Sequence, residues 1–146
     1  MHPEAERLPA DAGWPAKAAF AAIAWPAVIR ASLRAAWWLR RLPLDQAVER
    51  LRQVPPARKP FRSRPRWLAG VADRLLRWLP PYGYGRCLKR SLLLLDLWSR
   101  CGLEPTFHLG MQQGGAVDGD RTVNLHAWVT AGPLSTPAEH DEIWCG

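Results

Sequence analysis

Cys87 is the residue whose type and position best fit nucleophilic chemistry. It follows the glycine-containing segment 82–85 and opens a leucine-rich stretch that is typical of a buried helix. The N-terminus of a helix carries partial positive charge, which stabilises a thiolate and can help to bind an oxyanion. Arg86 and Lys89 add positive charge nearby. The position therefore predicts a reactive thiol, against the alternative that Cys87 is only a small buried apolar residue.

His126 is the candidate base for that thiol. It lies in segment 123–129, whose alternation predicts a strand with His126 and Trp128 on one face and Ala127 and Val129 on the other. If this strand packs over the start of the helix, the imidazole could accept the thiol proton and later donate it to a leaving amine. A strand histidine taken alone more often has a structural role, so the hypothesis depends on both residues together.

Metal and phosphate sites receive no support from residue spacing. A zinc site would have to gather His126 with His108, His140 and Cys145, but the chain has no C-x-x-C or H-x-x-x-H pair. The glycines of segment 112–121 are not followed by Lys-Ser or Lys-Thr, so they predict a hairpin loop and not a phosphate loop. The sequence thus predicts neither a metal nor another cofactor.

The elements that must position Cys87 and His126 follow from hydrophobic periodicity. Apolar residues at helical spacing predict helices over 16–41, 44–54, 67–79 and 87–100. The first should bend or restart near Pro26, and the last, with its four consecutive leucines, should be central and buried before ending at a left-handed Gly102. Alternation predicts two strands, 106–111 and 122–130, joined as a hairpin. Helices first and strands after predict an α+β fold, with N-terminal helices packed on a small antiparallel sheet.

Length and composition limit the domain organisation. A chain of 146 residues, 48% of them hydrophobic and nine of them tryptophan, is expected to form one core. We expect residues 1–15 to be a flexible arm and 16–146 a single domain, with a helical half (16–79) and a Cys/His catalytic half (80–146). Three cysteines without a C-x-x-C pair, and an N-terminus unlike a signal peptide, predict a cytoplasmic location.

Positive charge is concentrated in one part of the chain. The formal net charge is +7, and the segment 30–66 holds eleven arginines and lysines against only Asp45 and Glu49. Such a segment can bind nucleic acid, anionic lipid or an acidic peptide, or it can simply form a solvated helix surface. The charge alone leaves these alternatives open.

Tryptophans interleave with these arginines. Helices that carry Trp25, Trp37 and Trp38 could lie on a membrane surface, which makes peripheral membrane association a candidate property. No recognised nucleic-acid-binding module accompanies them, so nucleic acid is not predicted as a partner. The apolar run 18–29 is interrupted by Pro26 and is too short to cross a hydrocarbon layer about 30 Å thick.

Three short motifs follow one another in the second half of the chain. Cys-Leu-Lys-Arg-Ser-Leu opens the leucine-rich helix at Cys87, Cys-Gly-Leu occupies 101–103, and His-Ala-Trp-Val occupies 126–129. In this order they resemble the lasso peptide biosynthesis B2 proteins. The resemblance is close over 79–134 and looser over the arginine-rich half before it. The first and last motifs are specific together and weak apart.

The resemblance implies a transglutaminase-like, papain-like cysteine peptidase core that removes the leader from a ribosomally synthesised precursor peptide. A macrolactam-forming cyclase would then act on the new amino terminus. Cys87 corresponds to the family's nucleophile and His126 to its base. Because nothing in this chain resembles the family's leader-recognition domain, the implied partners are the precursor peptide, a separate leader-recognition (B1) protein and the cyclase.

The family's third catalytic member is an Asp on the strand after the histidine strand, where this chain has Gly-Pro-Leu-Ser-Thr-Pro at 132–137. Asp141 could reach the imidazole through a shifted loop, Ser135 or Thr136 could orient it, or the site could be impaired. Two rivals therefore accompany the peptidase. One is a catalytically weak scaffold that binds precursor and cyclase, and the other is a basic, membrane-binding or nucleic-acid-binding helical protein in which Cys87 is incidental.

Overall fold

The computed structural model describes residues 14–57, 64–78, 86–113 and 123–135. These residues form helices α1 (Trp14–Arg41), α2 (Leu44–Arg52), α3 (Pro65–Trp78) and α4 (Arg86–Arg100), followed by strands β1 (Thr106–Gln113), β2 (Val123–Ala131) and β3 (Leu134–Ser135). The predicted α+β class is confirmed. Helix α1 begins at Trp14, inside the expected arm 1–15, and the remainder of that arm lies outside the described residues.

Helix α4 is the centre of the fold. Its residues from Ser91 to Ser99 are all buried, because α1, α2 and α3 pack around it and its remaining side faces β2. The prediction of a central, buried helix is confirmed. The helix ends at Arg100. Gly102 follows in a turn with a φ of 77°, and the Leu103 N–H donates to the carbonyl of Trp98 at 3.1 Å. The sheet therefore meets the N-terminal helices chiefly through α4.

Two ion pairs fix α4 against its neighbours. Asp96 is fully buried, and it accepts hydrogen bonds from Arg34 of α1 at 2.8 and 3.0 Å and from Arg100 at 2.9 Å. Arg90 donates to both carboxylate oxygens of Asp73 in α3, at 2.6 and 3.2 Å. A buried carboxylate is tolerated when its oxygens are satisfied in this way. The basic segment 30–66 therefore does not form a single solvated surface, because Arg34 pairs with the buried Asp96.

The sheet has the order β1-β2-β3 and is antiparallel throughout. Gly110 of β1 lies opposite His126 of β2. Strand β3 is short and pairs with β2 only at its end, after a turn in which Gly132 has a φ of 58°. Ala127 and Val129 are buried, which confirms the predicted alternation along β2.

Helix α1 runs without interruption through Pro26. Pro26 and Ala22, whose carbonyl loses its helical donor, are both exposed, so water can satisfy the carbonyl. The span Ala18–Arg41 is long and apolar enough to cross a membrane by length and composition. This span is longer than the charge-free run 18–29 because it includes arginines. Core helices of soluble proteins pass the same test, so it does not by itself assign a membrane span.

Candidate cysteine–histidine site

Cys87 lies in the first turn of α4 and is 6% exposed. Ser91 follows one turn later on the same helix and is also buried. Residues four apart lie on the same face of a helix, so Cys87 and Ser91 belong to one face of α4. The position of Ser91 therefore shows which element lies next to the face that carries Cys87.

Ser91 connects this face to β2. Its hydroxyl donates a hydrogen bond of 2.9 Å to the carbonyl of Ala127, and the bond is buried. Ala127 is the neighbour of His126 in β2. Helix α4, which carries Cys87 in its first turn, is thus in direct contact with the strand that carries His126. The sequence hypothesis of a Cys/His pair required this contact.

His126 is half-buried, and its Nε2 atom is shielded from solvent. Its ring stacks on Trp128, with 5.6 Å between ring centroids and 26° between ring planes. The other neighbour of Trp128 is His108, stacked at 5.2 Å and 11°, whose own Nε2 lies 2.9 Å from the hydroxyl of Thr130. Trp128 therefore separates two histidines in a row of stacked rings on one face of the sheet.

Gly110 makes room for this row. A Cβ atom at position 110 would lie 3.0 and 3.2 Å from two carbons of the Trp128 ring, which is closer than ordinary carbon contacts of about 3.5 Å. The ring of Trp128 thus lies directly over the backbone of Gly110. Because Gly110 is also the register partner of His126, a side chain there would disturb the ring against which the imidazole stacks.

Ser135, Thr136 and Asp141 are the candidates for orienting His126. Ser135 lies opposite Thr130, four residues along β2 from His126, which is about 13 Å at the rise of a strand. The role proposed for Ser135 stays a prediction. Thr136 and Asp141 lie outside the described residues, so their proposed roles stay predictions. The stacked ring of Trp128 is one contact that orients the imidazole.

The described residues also bear on the alternative metal site. Within the part of the chain that the structure describes, no three His, Cys, Asp or Glu side chains gather closely enough to hold a metal ion. His140 and Cys145, two of the four candidate ligands, lie outside that part. His108 is used in the aromatic row and in its contact with Thr130.

Positive charge surrounds the first turn of α4. Burial lowers the pKa of Lys89 from its usual 10.5, and repulsion by the Arg86 guanidinium lowers that pKa further. Arg86 and Lys89 both lie in the first turn of α4. Together with the positive end of the helix, they create a local field that favours an anion such as a thiolate or an oxyanion.

Sequence reasoning missed the roles of Ser91, Arg90 and Gly110. Ser91 and Arg90 belong to the quoted Cys-Leu-Lys-Arg-Ser-Leu motif, and the structure gives each a partner on a different element, β2 for Ser91 and α3 for Arg90. A polar residue inside a run of buried leucines was the available signal for Ser91. A glycine within a strand was the available signal for Gly110, since such a glycine often marks a close approach.

Comparison with known proteins identifies a family whose model matches this chain. A family model described as the transglutaminase-like superfamily matches residues 29–140, which is more than half of the chain. The match extends from α1 across α4 and both long strands, so it includes Cys87 and His126. No protein of curated function and no solved structure matches the chain.

Proposed function

We propose that this chain, which belongs to the transglutaminase-like superfamily, is a cysteine peptidase with Cys87 as nucleophile and His126 as general base. The superfamily includes cysteine peptidases, so the proposal specifies one activity within a family already assigned. The observation that supports it most is the buried Ser91–Ala127 hydrogen bond. This bond ties the first turns of α4 to the strand of His126 and so limits how far the two side chains can separate.

In the first half of the proposed reaction, the sulfur of Cys87 attacks the carbonyl carbon of the scissile peptide bond and its proton passes to His126. The positive end of α4, with Arg86 and Lys89 near it, stabilises the negative oxygen of the tetrahedral intermediate. The C–N bond then breaks, and the imidazolium donates its proton to the leaving amine. The products of this step are a thioester on Cys87 and a free amino terminus.

In the second half, water attacks the thioester and gives a proton to His126. The C–S bond breaks and the thiolate of Cys87 recovers its proton from the imidazolium. The carboxylic acid product leaves and loses its proton to solvent at neutral pH. No oxidant, reductant or cofactor is needed for this balance. Stacking on Trp128 limits rotation of the imidazole, so the same ring can serve as base and as acid in turn.

The proposed substrate is the leader segment of a ribosomally synthesised lasso peptide precursor. Support comes from the paired motifs at Cys87 and His126, which resemble the lasso peptide biosynthesis B2 proteins. On this proposal the partners are the precursor, a separate leader-recognition (B1) protein and a macrolactam-forming cyclase. Cleavage in the cytoplasm would expose the amine that the cyclase joins to a side-chain carboxylate.

The test is incubation of the purified chain with the precursor peptide and leader-recognition protein encoded beside it, followed by mass spectrometry. We expect a leader-length fragment and a core-length fragment whose masses sum to the precursor plus one water. Cys87→Ala should abolish both fragments, whereas Cys101→Ala should retain them, because Cys101 is buried at the opposite end of α4. Cleavage that persists in Cys87→Ala would overturn the proposal.

A catalytically weak scaffold is the second candidate. The sequence at 132–137, which has no carboxylate where the resembled family has its Asp, favours it. The scaffold predicts that the chain binds precursor and cyclase while the precursor stays intact. Size-exclusion chromatography of the mixture, run beside the cleavage assay, separates the two candidates.

A further inference from the structure

The outward face of α1 is unusually apolar for a helix surface. Four large apolar side chains on it are exposed, Ile23 by 49%, Ile29 by 44%, Leu33 by 65% and Trp37 by 52%. The opposite face of the same helix packs on the core through Phe20, Ala24, Val28, Ala31 and Ala35, with Trp25, Trp38 and Leu39 half-buried against it. A helix that packs only on its own core exposes few large apolar residues on its other face. The outward face of α1 is therefore suited to contact an apolar environment other than the protein's own core.

These exposed side chains form one continuous stripe. Leu33 and Trp37 are four residues apart, Ile29 precedes Leu33 by four, and Ile23 lies on the edge of the same face. The stripe from Ile23 to Trp37 is about 21 Å long at the rise of an α-helix. Because it projects from a single helix, its surface is convex and can enter a planar interface along its whole length.

The charged residues of α1 itself are of one sign. Helix α1 contains no Asp or Glu, whereas α2 and α3 both contain acidic residues. Arg30, Arg40 and Arg41 are exposed, and the Arg41 guanidinium carbon lies 3.8 Å from the ring centroid of Trp37. An apolar stripe with a tryptophan and flanking arginines is the composition of helices that lie in the headgroup region of a bilayer.

We propose that the outward face of α1 docks on an anionic lipid bilayer. The stripe of Ile23, Ile29, Leu33 and Trp37 enters the boundary between headgroups and acyl chains, and the exposed arginines contact lipid phosphates. Anionic lipid is the partner that can bury the apolar stripe and also pair with the arginines of a helix that has no acidic residue. The docking concerns a helix remote in sequence from Cys87 and His126, and it holds whether or not the chain is a peptidase.

Vesicle flotation of the full chain tests the proposal. Phosphatidylcholine vesicles with added phosphatidylglycerol should carry the protein to the top of the gradient, and vesicles of phosphatidylcholine alone should carry much less. Each of Arg40→Gln and Arg41→Gln should lower partition into the anionic vesicles about fivefold. Leu33→Glu should lower it tenfold or more, because an exposed carboxylate would have to enter the apolar boundary.

Trp37→Ser and Trp78→Ser form a matched pair of variants. Trp78 is 84% exposed on α3, so it tests whether any exposed tryptophan would produce binding. We expect Trp37→Ser to weaken binding about tenfold and Trp78→Ser to change it less than twofold. Circular dichroism should show that all variants remain folded, since the replaced side chains are exposed. Equal losses for the two tryptophans, or a folded wild-type chain that stays unbound to anionic vesicles at low ionic strength, would overturn the proposal.

Discussion

Replacing Ser91 by alanine tests whether the contact between α4 and β2 serves the proposed site. The change removes one hydroxyl and no carbon, so it creates almost no cavity. It deletes the buried 2.9 Å hydrogen bond to the carbonyl of Ala127. Losing a donor to a buried carbonyl costs about 1 to 3 kcal/mol of the free energy of unfolding. The fold should therefore persist, with a lower urea midpoint.

The effect on cleavage should exceed the effect on stability. Without the bond, the first turns of α4 can shift relative to β2, and a misplacement of about 1 Å between reacting groups can cost roughly a hundredfold in rate. We expect single-turnover cleavage of the precursor to slow at least tenfold in Ser91→Ala. The assay is quenched-flow or manual sampling with mass spectrometry, at a temperature well below the melting transition of the variant.

Ser99→Ala is the matched control. Ser99 is a buried serine of the same helix, and its hydroxyl donates at 2.7 Å to the carbonyl of Leu95 within α4. That carbonyl remains within the helix ladder, so the cost should be about 1 kcal/mol or less. Ser99→Ala should cleave at nearly the wild-type rate. Equal slowing in both variants, or an unchanged rate in Ser91→Ala despite lower stability, would refute the reasoning.

Three further predictions concern the surroundings of the site. Gly110→Ala should displace Trp128, because the new Cβ would lie 3.0 Å from its ring. The displacement should lower the free energy of unfolding by about 1 to 2 kcal/mol and slow cleavage. Unchanged thermal unfolding and cleavage kinetics would contradict this prediction. Arg34→Met should lower the free energy of unfolding by about 3 kcal/mol in urea denaturation, because the buried Asp96 loses two of its hydrogen bonds. Adding Asp96→Leu should recover most of that loss, and a double variant as unstable as the single one would be inconsistent. Burial and repulsion by Arg86 lower the pKa of Lys89, so the charged form of Lys89 lowers the free energy of unfolding. This destabilisation is complete at neutral pH and disappears as the pH rises through 10.5, the usual pKa of lysine. Lys89→Gln should thus be more stable than wild type at neutral pH and equal to it at higher pH, and a pH-independent difference would argue against this cause.

Local patterns were sufficient for the elements that carry the site. Four consecutive leucines cover every side of a helix, so their sequence predicted that α4 is buried on all sides. Gly102 predicted where the helix stops. Alternation in β2 assigned Ala127 and Val129 to the core before any pairing was known. Both inferences use one property of a short segment, which is why they were confirmed.

Contacts between distant segments could not be predicted in the same way. The Ser91–Ala127 bond depends on how α4 is placed against β2, and the ring of Trp128 over Gly110 depends on the strand register. The pairing of Arg34 with Asp96 joins residues 62 positions apart. Arg34 was one of many arginines in a basic segment, and nothing in its neighbourhood distinguished it from the exposed ones.

Alkylation of the cysteines tests the central claim most directly, because it needs neither substrate nor partner. Cys87 and Cys101 are almost equally buried, at 6% and 5%, but they lie at opposite ends of α4, where the helix favours and disfavours a thiolate respectively. Peptide mapping after timed exposure to iodoacetamide at neutral pH should show Cys87 reacting at least tenfold faster than Cys101. His126→Ala should slow the alkylation of Cys87 several-fold while leaving the smaller advantage that the helix end provides, and His108→Ala should leave the rate of Cys87 unchanged. Equal rates for the two cysteines in the wild type, or a Cys87 rate that is unchanged in His126→Ala, would contradict a catalytic pair.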